Sequence, residues 1–359
     1  MAAATPPSPS RAPGTAGASG AALAASAAVA ARFLPVWLAT AVLAIVASIV
    51  APDALGNTSW SYVLPYTTVL AITALGQMLV VMHAGIDLST PGVVSFGGNL
   101  IAGVGAGRDH RLLLAIPLCL AMGLLVGLAN GVLVGLLRLN PLIVTLAVGQ
   151  IVFAWSSKYS RDHVTNQPDV PGALSSWAGE KPLGISVVFW TGAGLTLLVA
   201  LVLRYTTAGR RFQAVGANPR AAWIAGLHVR RHVVLAYAAA GLLYAVAAVL
   251  LAGVRFSVDP QFGSAYLLSP IAAVVIAGAS LAGGLASATS TWVAALALTF
   301  LTQMLVVMGL STAMQYVVFG AAILAGMVVS GDRVATLLGR WLRTVKPPPQ
   351  SAPTAGHAS

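Results

Sequence analysis

One carboxylate stands alone in a long apolar stretch. Asp87, within Gly85-Ile86-Asp87-Leu88-Ser89, is the only acid between Asp53 and Asp109. An ionisable group at membrane depth is costly, so such a residue marks a functional site by default. Three roles suit it: hydrogen-bonding a hydroxyl of a transported solute, capping the next helix, or coupling two conformations, for instance by pairing with an arginine near the membrane surface. Ser89-Thr90-Pro91 reads as a helix start, and Asp87 could satisfy the free backbone N–H groups there. Neutral polar residues are scattered through the same apolar background: Gln77, Asn99, Asn130, Thr145, Gln150, Gln303 and Gln315. Uncharged donors and acceptors suit a pathway for a hydroxyl-rich solute better than one for an ion. Asp87, Ser89, Gln77, Asn99, Asn130, Thr145 and Gln303 are therefore the candidate translocation pathway. The competing role for each neutral residue is interhelical hydrogen bonding within a bundle.

A second constellation lies between Arg204 and Arg231, which contains six arginines and no acid. Inside it, Ala214–Leu227 (AVGANPRAAWIAGL) reads as a short, punctuated helix. Asn218 is a natural N-cap, Pro219 suits the first helical position, and Gly226 supplies the left-handed residue that ends it. Small residues, Ala221, Ala222 and Ala225, would let a partner groove receive this helix closely. Asn218, Pro219, Arg220, Ala222, Ala225 and Gly226, with Arg210 and Arg211 beside them, are the candidate docking site for a cytoplasmic partner. No G-x-x-x-x-G-K-[ST] phosphate loop occurs, so an ATP-driven mechanism places the nucleotide on another polypeptide. His228 and His232 lie one helical turn apart without a third ligand nearby, and no metal or other cofactor is expected. The single cysteine, Cys119, sits in an apolar run and reads as a packing residue.

These residues must be held by membrane helices. The chain of 359 residues is 58% hydrophobic and only 8% charged, where a soluble protein carries roughly 25% charge. Its mean hydropathy is +0.88. The apolar runs are continuous rather than alternating, which excludes a β-barrel. The fold class is all-α and polytopic, with ten candidate spans at about 33–52, 62–82, 91–107, 112–137, 141–157, 184–203, 232–254, 264–284, 286–307 and 312–330. With both termini cytoplasmic, Arg32, Arg138, the 204–231 loop and the basic tail from Arg333 to Lys346 fall on one side. Asp53, the charge-balanced 158–183 loop and the Arg255/Asp259 pair fall on the other. The net charge of +11 thus belongs to topology and does not point to nucleic acid. Residues 1–31 and 332–359 read as disordered tails flanking a permease domain at 32–331. The 91–107 segment is short and glycine-rich, a tightly packed or re-entrant element buried away from lipid. The hexapeptide QMLVVM occurs at Gln77–Met82 and Gln303–Met308, and Ala84–Ser89 faintly echoes Ala277–Ala282. The two echoes imply different offsets and define no single repeat.

The stretch Thr207–Phe212 followed by Ala214–Leu227 resembles the cytoplasmic-loop motif of ribose/sugar-type permease subunits of bacterial ABC importers. Gly85–Ser89, Ala272–Gly284 and Asn130–Leu146 resemble further signatures of that family, and the resemblance covers about residues 60–330. The chain departs from the pattern at Thr90-Pro91, where a Val-Gly pair is usual, and at Leu285-Ala286. The resemblance implies an inner-membrane permease that pairs with a second permease subunit as homodimer or heterodimer. It further implies docking of ABC ATPase subunits on the 204–231 loop, delivery by a periplasmic solute-binding protein, and a sugar or polyol as solute. The alternatives are a branched-chain amino-acid or nucleoside permease of the same superfamily, and a stand-alone secondary transporter. Against the last, intramembrane carboxylates for ion coupling are nearly absent, Asp87 excepted.

Overall fold

The computed structural model describes residues 15–164 and 170–311, with scattered positions from 313 to 324; side chains are described from Phe33 onward. Among these residues the regular elements are all helical. In chain order they are α1 (Thr15–Val50), α2 (Asn57–Val81), α3 (Thr90–Gly105), α4 (Leu112–Gly131), α5 (Pro141–His163) and α6 (Gly172–Gly179). There follow α7 (Val187–Tyr205), α8 (Thr207–Ala217), α9 (Pro219–Ile224), α10 (Val229–Arg255), α11 (Ser269–Ile276) and α12 (Ala288–Val307). Seven segments, in α1, α2, α4, α5, α7, α10 and α12, are long and apolar enough to cross a membrane.

Three expected spans differ from that set. The 91–107 segment is α3, 16 residues long and largely buried, in keeping with its glycine content. The 264–284 segment is not one span: α11 has only eight residues, because Gly278, Gly283 and Gly284 take left-handed backbone and break the helix. The 312–330 segment lies mostly outside the described residues, as do residues 1–14 and the C-terminal tail. The N-terminal stretch expected to lack a fold is helical from Thr15 onward; its alanines carry the strongest intrinsic helix propensity.

The molecule is built around α2 and α10. Within the most apolar stretch of each segment, 89% of residues are buried in α2 and 61% in α10, against 11% in Phe33–Val50 of α1 and 17% in α7. The ring of helices around this pair presents leucine, valine and tryptophan outward, as lipid requires. Close approach of α4 to α10 comes from a stripe of glycines at four-residue spacing: Gly123, Gly127, Gly131 and Gly135. A Cβ at Gly131 would meet the Val234 backbone at 2.8 Å, and one at Gly135 would meet the Arg230 carbonyl at 3.1 Å. Gly123 and Gly127 sit still closer, on the backbone of Gly241 and Tyr237. Spacing of four drifts about 40° per step around an α-helix. The end of the stripe runs through a π-helical turn, Val132–Leu136, whose wider coil turns less per residue and keeps Gly135 against α10.

Candidate functional site

The polypeptide leaves α2 at Val81 and re-enters a helix at Thr90, and the intervening turn carries Asp87. Five of the seven expected pathway residues converge on it. Gln77, on the last turns of α2, reads the Asp87 backbone. With its amide oriented to pair both ends, Oε1 accepts from Asp87 N at 3.2 Å, while Nε2 donates to Asp87 O at 3.0 Å and to the Tyr244 hydroxyl at 3.2 Å. Asp87 Oδ1 accepts from Ser89 N at 2.8 Å and from Ser89 Oγ at 2.6 Å. Asn130 Nδ2, from α4, donates to the same Ser89 Oγ at 2.9 Å. Thr145 Oγ1, from α5, accepts from Leu88 N at 2.9 Å and donates to Pro141 O at 2.8 Å. Gly149 lets α5 close on this turn, since a Cβ there would lie 2.8 Å from Ser89 Cα. All five side chains are at most 1% exposed.

Of the roles open to Asp87, capping of α3 is corrected: no side chain caps its first turn. Asp87 Oδ1 instead closes a local turn onto the N-cap residue, accepting from Ser89 N and Oγ. The geometry displays no ion pair with arginine: the pairs found among the described residues are Lys158–Asp162 and Arg255–Asp259. Asp87 Oδ2, Asn130 Oδ1 and the Tyr237 hydroxyl are also buried at this cluster and bond to none of the described residues.

Asn99 and Gln303 lie elsewhere. Asn99 Nδ2 donates to Ser95 O at 3.0 Å and Ser156 Oγ at 2.9 Å, stitching α3 to α5. Gln303 Nε2 donates to Ser59 Oγ at 3.4 Å, tying α12 to the opposite end of α2. Gln150 is exposed on α5, and Gln315 is outside the described residues.

The docking segment is two helices, not one. Thr206 Oγ1 accepts from Gly209 N at 2.9 Å and starts α8. Asn218 then breaks the chain and restarts it, its Oδ1 accepting from Ala221 N at 3.0 Å. Gly226, at φ +80, ends α9 with Leu227 N donating to Ala222 O at 2.9 Å. Arg210, Arg211, Pro219, Arg220 and Ala225 are exposed. Ala222 is not: at 5% exposure it faces the protein, while Trp223 at 73% and Ile224 at 80% face outward. The expectation that Ala222 meets the partner is therefore corrected. In a helix of under two turns only one side can point out, and this one seats Ala222 inward and leaves a large apolar pair uncovered. The signal was legible as a Trp-Ile dipeptide inside an otherwise basic loop.

This segment rests directly on the Asp87 turn. Phe212 of α8 packs edge-on against His83, ring centroids 4.2 Å apart. Gly216 lies on the Met82 carbonyl so closely that no Cβ would fit. The same carbonyl accepts from Gly284 N at 2.9 Å. Burial, with a smaller contribution from nearby His232, pushes the His83 imidazole down to about 4, so it is neutral here. Gly216, Gly283, Gly284, Tyr237 and Tyr244 were not singled out from sequence, because glycine and tyrosine in apolar runs carry no mark of whom they touch.

A family model described as "Branched-chain amino acid transport system / permease component" matches residues 59–327. The ribose import permease protein of Escherichia coli strain K12 is 30% identical over 298 residues, covering 82% of this chain and 92% of the relative. The fructose import permease protein of Rhizobium meliloti is 30% identical, covering 79% of this chain and 78% of the relative. The L-arabinose ABC transporter permease protein of Azospirillum brasilense is 29% identical, covering 80% and 84%. No solved structure matches the chain.

Proposed function

We infer function from one premise: the chain belongs to the permease-component family of branched-chain amino acid transport systems. It is a multi-pass inner-membrane permease subunit of an ABC importer, a transport subunit rather than an enzyme. Its solute is a sugar of the ribose class, as the names and coverage of its relatives support. Neutral amides and hydroxyls around Asp87 fit a hydroxyl-bearing solute.

We assign energy coupling to α8 and α9, which ABC ATPase subunits would engage through Trp223 and Ile224. Nucleotide is bound by those subunits. A periplasmic solute-binding protein delivers the sugar, and a second permease copy or homologue completes the pathway. Both termini are cytoplasmic, and α3 and α11 enter the membrane as short elements buried among the seven long apolar segments. The pathway residues Asp87, Ser89, Gln77, Asn130 and Thr145 form its cytoplasmic gate, while Asn99 and Gln303 tie neighbouring helices together. The observation that carries this reading is the seat of α8 on the Asp87 turn, through Phe212–His83 and Gly216–Met82. A push on the docking helices reaches the gate through two contacts.

The test is Ile224→Glu, which places a charge on the outward face without touching the interior. The variant is expected to keep wild-type thermal stability and lose both ATPase co-purification and sugar uptake in proteoliposomes. Retention of the ATPase at wild-type stoichiometry would overturn the docking assignment, and uptake driven by an ion gradient alone would overturn the importer reading.

A further inference from the structure

Behind the docking helix the structure opens a cavity of about 710 Å³ between the end of α4, α9 and the start of α10. Arg138, Arg220, Arg230 and Arg231 line it together with His228. No carboxylate is among its lining residues, and none of the four arginines is in either ion pair found among the described residues. The remaining wall is His83 with the apolar Val134, Leu136 and Val233. Leu136 and Leu137, at the end of the π-helical turn beyond α4, are exposed at 44% and 60%, so the apolar part of the wall continues onto the outer surface of the bundle. Arg138 itself holds a left-handed backbone, φ +58, two residues beyond the π-helical turn, a conformation in which glycine is free of strain.

A site with clustered guanidinium groups at one end and a hydrocarbon-compatible wall at the other matches one chemistry. We propose that this cavity binds the phosphate headgroup of an anionic phospholipid of the cytoplasmic leaflet, with Arg138, Arg230 and Arg231 on the phosphate and the acyl chains along α4. Guanidinium forks suit phosphate oxygens, and basic pockets at the cytoplasmic ends of membrane helices are suited to such headgroups. Because Pro219, Arg220 and Trp223 of the docking helix form one wall of this open cavity, an occupied site would lie against the flank of α9. This proposal needs only that the 204–231 loop be cytoplasmic, and it stands whichever solute is carried.

The experiment uses the purified full-length chain, without ATPase, in uncharged detergent. Thermal unfolding is followed with added phosphatidylglycerol, phosphatidylcholine, or sodium phosphate at matched ionic strength. Phosphatidylglycerol is expected to raise Tm by about 3 °C or more over phosphatidylcholine. Arg138→Gly relieves the backbone and is expected to fold at least as well in phosphatidylcholine while losing at least half of that rise. Arg230→Gln/Arg231→Gln is expected to do the same, and Arg108→Gln, away from the cavity, to keep the full rise. An undiminished rise in both cavity variants, or no rise in the wild type, overturns the proposal. A rise reproduced by sodium phosphate alone overturns the lipid in favour of a free anion.

Discussion

Two turns meet at the Met82 carbonyl, and they are locked by opposite means. The 82–89 turn is held by side chains: Gln77, Asn130 and Thr145 bond to it from α2, α4 and α5, and Asp87 bonds to Ser89 within it. The turn between α11 and α12 is held by backbone. Ser280 N donates to Leu285 O at 3.0 Å, Gly283 N to Ser280 O at 3.0 Å, and Gly284 N to Met82 O at 2.9 Å. Gly283 and Gly284 stand at φ +99 and +89. A side-chain lock can be loosened one bond at a time. A backbone lock built on left-handed glycines has no intermediate setting. The first is suited to a moving part, the second to the abutment it moves against.

The sharpest way to break this contrast is to put side chains on the glycine turn. Gly283→Val meets the Gly216 carbonyl at 3.0 Å and the Met82 carbonyl at 3.2 Å from a left-handed backbone. It should cost about 3 kcal/mol or more, seen as loss of monodisperse permease after detergent extraction. Recovery at wild-type yield would show that this turn is not backbone-locked. In the polar turn, Asp87→Ala strands Ser89 N and should cost about 2–3 kcal/mol, measured as a lowered midpoint of thermal unfolding.

His83 gives a pH signature to the first turn alone. Its folded-state value, about 4, lies below the roughly 6.5 of a free imidazole. The stabilisation is therefore present above pH ~6.5 and lost as pH falls toward 4, on the order of 1–2 kcal/mol by pH 5. His83→Gln should flatten that acid-side loss, and an unchanged pH slope would place the imidazole in water. The smallest effect on folding belongs to Asp87→Asn, since an Asn side-chain oxygen can accept the Ser89 N bond as Asp does. Its stability should fall by less than about 1 kcal/mol while uptake per folded permease drops severalfold. Uptake within twofold of wild type would reduce Asp87 to a residue that fixes the turn.

Much of this was legible in the residues. Asn218, Pro219 and Gly226 punctuate α9 as their chemistry dictates, and isolation in apolar sequence singled out Asp87. Local signals of this kind depend on neighbours in the chain. What stayed hidden depends on neighbours in space. Nothing in the sequence tells Asn130 from Asn99 until α4 brings one to Ser89 and α3 carries the other to Ser156. Ala222 and Trp223 are adjacent in sequence, and only the seat of α9 decides which is buried. The 264–284 run has the hydropathy of a span, yet its three left-handed glycines outweigh composition.

The glycine stripe between α4 and α10 has a mechanical meaning. Backbone lies on backbone, with almost no rotamers between the two helices to absorb a displacement. The pair is stiff where the stripe runs, against Arg230 to Ala245 of α10, and α10 itself, with 27 residues, is about 40 Å long. The docking segment is hinged to its foot at Val229, and the Arg255–Asp259 pair sits at its head. A tilt imposed at one membrane face would arrive at the other undamped, so the two surfaces of this protein can report to each other without any relay of side chains.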